Sequence, residues 1–478
     1  MESHDSRGAT APLTGQTHAD RPSVAALSGY IMVAACLGLV AFALARGHAI
    51  VALLLACLLT LGVTAVVQPR AYRYVAWVGV AAVPFATAWT LLHPDLYDMP
   101  LYLSVFIMLL VGLGVFQTRV LPRTMGTVYL GYIILAAFVS VFSAFGPGGL
   151  GRISAIVIAF GAYVLLFRAG RRERRFVLAL LLGMCFIEAV LAVLQSVFGW
   201  PVFPAQLATL IRSDRNYIAY LVPGMNESVT QGSGTFYHFN ALGGVLAPAV
   251  PVAFGLWMGR LRSPLRLVIL LVLLAGTVAT FSRGALLGSV AGILFVAFFE
   301  QSRSRRVMML LVVCAVFVAS LLALSTATQY YQTTENVGIR AQTWRLAVTD
   351  ALERPSSLLF GYGYDYFHTV LSAGTGGDTR AIKSTVMPGV HSGPLQLALE
   401  FGLVGAILFA LWMLTASQTG LGTNRSPLTV ALLGGAVAFL FHQVLDTSMF
   451  LYPGVLFVIV VGLAEAEARA PEDGSTLT

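Results

Sequence analysis

HSGPLQLALEFGLVGAILFALWML, residues 391–414, decides how the chain is read. It is a continuous apolar run of about the length a helix needs to cross a bilayer, roughly 20 residues. Ser392 is placed to cap the helix, and Pro394 fits its first turn, where a missing N–H costs nothing. His391 therefore stands at the helix mouth. The positive end of the helix dipole disfavours a second positive charge, so the imidazole is expected to stay neutral and keep a lone pair able to accept a proton. Such a group can serve as a general base.

Working outward, runs of the same kind recur at 24–45, 49–67, 74–92, 100–116, 126–145, 153–167, 176–198, 236–258, 266–281, 285–299, 307–325, 428–443 and 450–464. Of the 478 residues 58% are hydrophobic and 10% charged, with a mean hydropathy of +0.82, which excludes an ordinary soluble globule. Only helices or closed barrels satisfy the backbone in lipid, and these runs are continuous rather than alternating. The expectation is an all-α integral membrane protein of about 12–14 transmembrane helices, with a large external loop before the antepenultimate span. Residues 1–22 read as a polar cytoplasmic tail without a signal segment, and 23–198 as N-terminal helices. Residues 199–465 read as a core with external loops 199–235 and 326–391, and 466–478 as a second cytoplasmic tail. Cys36, Cys57, Cys185 and Cys314 lie inside apolar runs without paired spacing and give no disulfide, zinc or redox signal.

The net charge of +8 comes largely from arginines in alternate short loops. These are Arg70 and Arg73, Arg119 and Arg123, RAGRRERR at 168–175, Arg260 to Arg266, Arg303 to Arg306, and Arg425. The positive-inside rule makes those loops cytoplasmic and leaves no need for nucleic acid as a partner. The opposite loops are then external, yet they carry Arg212, Arg215, Arg283, Arg340 and Arg345. Arginines that serve no topological purpose point to an anion. Arg283 lies in a tight SRG turn between the two shortest spans, whose helices would cover only about 24 Å and so recess it toward headgroup depth. A lipid-borne diphosphate is the anion met there.

The external segments have their own patterns. FPAQLATLIRSDRNYIAYLVPG, 203–224, repeats Leu207, Leu210, Ile211, Ile218 and Leu221 at roughly helical spacing, which suits a helix lying flat on the membrane. In GSGTFYHFNALGG, 232–244, the glycines and Asn240 mark a tight approach to the next span, and His238 reads as a hydrogen-bonded structural histidine or a catalyst. GIRAQTWRLAVTDALERP, 338–355, reads as an amphipathic helix packing through Ile339, Trp344, Leu346 and Leu352, with Arg340 and Arg345 toward the membrane. In LLFGYGYDYFH, 358–368, glycines allow turns, and Tyr362, Tyr364, Tyr366 and Phe367 offer faces for sugar rings or anchors at the interface.

Several of these motifs occur together in one known family. They are His391 and Ser392, then nine residues, then Gly402-x-x-Gly405; GTFYHFNALGG at 234–244; TFSRGALLG at 280–288; Arg340 and Trp344 as R-x-x-x-W; and LLFGYGYDYF before the histidine. Over about 234–410 the chain thereby resembles the O-antigen ligase and polymerase superfamily of bacterial membrane glycosyltransferases, while the first seven spans match only in general character. Members often place an arginine three residues before the glycine of the GTF motif, where this chain has Gln231, with Arg215 as a substitute.

The resemblance implies a polyprenyl diphosphate-linked glycan as donor and a sugar hydroxyl, on a glycan or a lipid A core, as acceptor. It implies work in O-antigen, lipopolysaccharide or exopolysaccharide assembly, in the bacterial inner membrane with the site on the periplasmic face. His391 would be the base and Arg283 and Arg340 the phosphate clamp, with Arg215, Arg345, His238, Asn240 and Tyr364 completing the substrate site. Transfer is expected to be inverting and free of metal or cofactor. The leaving diphosphate needs positive charge and the hydroxyl needs a base. The chain has no Asp-x-Asp motif, and Asp95 and Asp98 are remote in sequence from the arginines. Ligase and polymerase differ only in the acceptor, and the span count and His238 lean toward polymerase. The alternative is a secondary transporter or flippase, supported by Glu188, Glu400, His442 and Asp446 in or near apolar spans. Against it stand the long external loop and the lack of an internal repeat. Glu400 falls nine residues below His391 on one helix, about 13 Å deeper, and reads as a buried, hydrogen-bonded carboxyl.

Overall fold

A computed structural model describes residues 73–74, 76–81, 121–140, 150–198, 218–220, 228–236, 239–259, 263–300, 344–345, 348–349, 352–353, 355–363, 392–422, 425–446 and 452–470. In chain order the helices are α1 Met125–Ser140, α2 Leu150–Arg168, α3 Arg171–Phe198, α4 Phe239–Met258, α5 Pro264–Ala279, α6 Arg283–Glu300, α7 Pro355–Phe360, α8 Gly393–Gly420, α9 Pro427–Val444 and α10 Tyr452–Ala468. Among them α3, α4, α8 and α9 are long and apolar enough to cross a membrane, and α1, α5 and α6 are shorter apolar helices. The all-α membrane architecture expected from composition is what is observed. Eight of the apolar runs between 126 and 464 fall on single helices to within a few residues. The runs at 24–45, 49–67, 100–116 and 307–325 lie outside the described residues.

Proline and serine punctuate the bundle. Ser263 and Ser426 each precede a helix that begins on proline, and Ser426 Oγ accepts from Thr429 N at 3.0 Å. At the centre stands α4, whose apolar window is 83% buried although it carries Pro248 and Pro251. Surrounding helices allow such prolines, because the freed backbone groups are shielded from lipid. α9 packs against α4, α6 and α10, and α10 packs against α2 and α8. The α6–α9 contact is made close by small residues: a Cβ at Gly292 would come within 2.5 Å of the Gly434 carbonyl oxygen.

The arginine-rich loops meet at one end. Arg73 pairs with Glu173 at 3.1 Å, Trp77 donates to the same carboxylate at 3.0 Å, and Arg174 pairs with Glu467 at 3.0 Å. Arg266 donates to the Leu256 carbonyl at 2.9 Å, and Arg469 lies over the Phe167 ring. Just inside, the Tyr163 hydroxyl donates to Glu465 and lies 2.8 Å from Thr124 Oγ1.

Three expectations are corrected. The helical pattern through Ile218 and Leu221 does not hold, because Ile218–Tyr220 forms a strand paired antiparallel with Ser228–Thr230. The intervening Val222-Pro223-Gly224 is rich in turn formers, which favours reversal over a continued helix. Leu352 is 67% exposed rather than packed, while Trp344 is half-buried. The run 392–414 is not one helix but two joined at Gly402.

Candidate active site

The end opposite the paired arginines is built from backbone. Gln195, near the end of α3, accepts from Ser233 N and Gly234 N at 2.8 Å each and returns its own amide to the Gly234 carbonyl at 2.9 Å. Two turns earlier, Glu188 is fully buried and accepts from Thr235 N at 2.8 Å and from the Thr235 hydroxyl. Gly232 N reaches the Ala279 carbonyl at 2.8 Å, tying the same segment to the end of α5. The stretch leading into α4 is thus fixed from two helices, and both oxygens of a buried carboxyl have partners.

The SRG turn packs against it. Phe281 has φ 53, a conformation that a bulky residue adopts only where its surroundings impose it. Ser282 N donates to Thr280 Oγ1 at 3.2 Å, and Ser282 Oγ accepts from Ala285 N at 3.4 Å. Arg283 is exposed at the first residue of α6, between helices of 16 and 18 residues. Gly243 of α4 is where this turn sits, since a Cβ there would meet Ser282 Cβ at 3.0 Å. Gly284 faces His442 of α9, whose Nε2 is 3.6 Å from Asp446 Oδ2 and whose Nδ1 is 3.1 Å from Gln443 Nε2. The Asn240 backbone approaches the same imidazole. Gly393, opening α8, lies against Gln443, so the α8 mouth joins the cluster.

α8 is interrupted at Gly402, with φ 66 and ψ −172, between Gly393–Phe401 and Leu403–Gly420. This backbone shape is open almost only to glycine. A break leaves the preceding carbonyls without their i+4 donors, and GYG supplies replacements. Tyr362 N donates to the Leu399 carbonyl at 2.8 Å and Gly363 N to the Glu400 carbonyl at 3.1 Å, while Tyr132 donates to the Phe401 carbonyl at 2.9 Å. The glycines that read as loop turns therefore dock on a broken helix, and Gly402 leaves room for Leu359 and Gly361. Ser392 holds the N-cap position in extended conformation, but its side chain makes no cap hydrogen bond. Pro394 lies in the first turn as expected. Glu400 is 1% exposed and accepts from Gln396 Nε2 at 2.9 Å.

Of the residues singled out from sequence, the fold brings Arg283 and Asn240 to this end, with Ser392 beside them. His391, Arg340, Arg215, His238 and Tyr364 lie outside the described residues, and Arg345 is exposed on a helical stretch. Gln195 was missed. Its one signal in sequence is a long polar side chain near the end of an otherwise apolar helix. The acids that favoured a transporter are engaged: Glu188 with Thr235, Glu400 with Gln396, and Asp446 beside His442.

Residues 267–410 match the family model described as O-antigen ligase. No curated protein matches the chain. The matched segment contains the SRG turn, the GYG docking site and the break in α8, whereas α4 and α9, which hold them in register, fall outside it.

Proposed function

We propose, from the match of residues 267–410 to the O-antigen ligase family model, that the chain transfers a glycan from a polyprenyl diphosphate to an acceptor sugar hydroxyl at the end of the bundle where α8 begins. The observation that carries this reading is convergence: the SRG turn and the α8 mouth, distant in sequence, both lie against His442 and Gln443 of α9, and the segment before α4 is tied to the end of α5 next to that turn. His391 immediately precedes Ser392 at that mouth. In the proposed step it takes the proton from the acceptor hydroxyl as the oxygen bonds to the anomeric carbon. The bond from that carbon to the diphosphate oxygen breaks, the configuration inverts, and Arg283 and Arg340 receive the negative charge on the departing lipid diphosphate. On this reading Arg215, Arg345, His238, Asn240 and Tyr364 line the path of donor and acceptor, on the external, periplasmic face of a bacterial inner membrane; the arginine distribution supports an external site. No metal enters this scheme. Glu188 and Gln195 at this end hold loop backbone and Gln396 donates to Glu400, which favours a fixed site over the alternating one of a transporter.

The test is single-turnover transfer by folded His391→Ala, with EDTA present in one arm. Removal of a positioned base typically lowers turnover about 10²–10⁴-fold while donor binding persists. A rate within threefold of the parent protein would remove His391 from the mechanism, and an EDTA-sensitive parent would remove the metal-free scheme.

A further inference from the structure

The arginine-rich end holds more positive charge than its ion pairs use. Residues 168–175 contain five arginines and one glutamate, and that glutamate, Glu173, is already bound by Arg73 and Trp77. Arg174 is paired with Glu467. Arg172 and Arg175 are exposed, one turn apart on α3, and Leu178 follows at the same spacing, so the three form one stripe. Arg175 and Leu178 of this stripe border a shallow furrow between α3, α9 and α10. It is lined by Leu178, Leu428, Leu432 and Leu463 together with Arg175 and the Arg174–Glu467 pair. Exposed Arg425 sits one residue before the α9 cap and three before Leu428.

Orientation alone needs positive charge near the spans. It does not need arginines stacked on the positive end of a helix dipole, where each is disfavoured, nor set above an apolar furrow. An anion with a hydrocarbon tail satisfies both parts: its phosphate takes the arginines and the dipole, and its acyl chain takes the leucines.

We propose that the α3–α9–α10 groove is a binding site for an anionic phospholipid, its phosphate held by Arg172, Arg175 and Arg425 and its acyl chain laid along Leu178 and Leu428. The site lies at the opposite end from the proposed transfer chemistry and does not rest on it. A basic recess between helices at the membrane surface is the arrangement that selects such headgroups over zwitterionic ones.

The test uses the purified full-length chain in neutral detergent, with cardiolipin as probe and phosphatidylcholine and glycerol 3-phosphate as comparison arms, read by native mass spectrometry and thermal unfolding. Cardiolipin is expected to be retained and to raise the unfolding temperature, with little response to the other two. Each arginine near the surface changes affinity roughly fivefold, so Arg172→Gln/Arg175→Gln/Arg425→Gln should weaken retention about a hundredfold. Leu428→Trp, which fills the groove and keeps the charge, should also displace the lipid. A salt titration of the parent protein needs no variant: cardiolipin retention should fall as ionic strength rises. Equal retention of phosphatidylcholine, salt-independent cardiolipin binding, or an unaffected triple variant would each overturn the proposal. Glycerol 3-phosphate binding as tightly as cardiolipin would make it a free-phosphate site and overturn the lipid assignment.

Discussion

The two ends of the bundle are built by different means. At the arginine-rich end side chains pair with side chains, as in Arg73 with Glu173, Arg174 with Glu467, and Tyr163 with Glu465. At the other end side chains and loop backbone hold backbone: Gln195 grips Ser233 and Gly234, and GYG grips the carbonyls of a broken helix. Arg174 and Glu467 are only partly buried, and an ion pair open to water tolerates changes of geometry at little cost. Main-chain hydrogen bonds fix shape to a fraction of an ångström. An end made in the second way keeps its geometry whichever side chains are then presented from it.

Three experiments measure that difference. Gly402→Ala is expected to have the largest effect, because it combines a glycine-only conformation with a Cβ that would overlap Leu359 and Gly361. Strain and overpacking together should cost roughly 3–5 kcal/mol, read as a lower unfolding temperature in detergent, with transfer lost. Unchanged stability would mean that the break is not what holds GYG. Gln195→Leu leaves two N–H groups and a carbonyl without their partner and should cost about 3 kcal/mol. Protease nicking between Ser228 and Phe236 should rise in parallel. The smallest effect belongs to the other end: a double-mutant cycle of Arg174→Gln and Glu467→Gln should give a coupling below about 1 kcal/mol. A coupling larger than the Gln195 loss would erase the distinction between the ends.

The first kind of end was legible in the sequence and the second mostly was not. Arginine clusters and apolar runs are local signals, so the membrane class and most described helix positions followed from composition and spacing. The break at Gly402 did not, because a glycine inside an apolar run looks the same whether its φ is negative or positive. Here the decision comes from Leu359 to Gly363, about forty residues upstream. Gln195 was hidden for the same reason, since its partners lie 38 and 39 positions away. Glu400 was read as a buried carboxyl, which its burial and its Gln396 contact match, although the continuous helix used to judge its depth is absent.

The docking of GYG has a consequence for how this chain can vary. The segment 364–391 departs from Gly363, which is bonded at Glu400, and returns to Ser392, at the mouth of the same helix. Its two anchorage points are thus about two helical turns apart, roughly 11 Å. A loop whose ends are fixed so near each other can be lengthened or shortened with little thermodynamic effect: doubling its length adds only about 0.6 kcal/mol of closure entropy. Grafts or deletions within 364–391 should leave both anchors where they are. What is delivered to the α8 mouth can then be altered by exchanging a loop, without rebuilding the membrane-embedded frame that receives it.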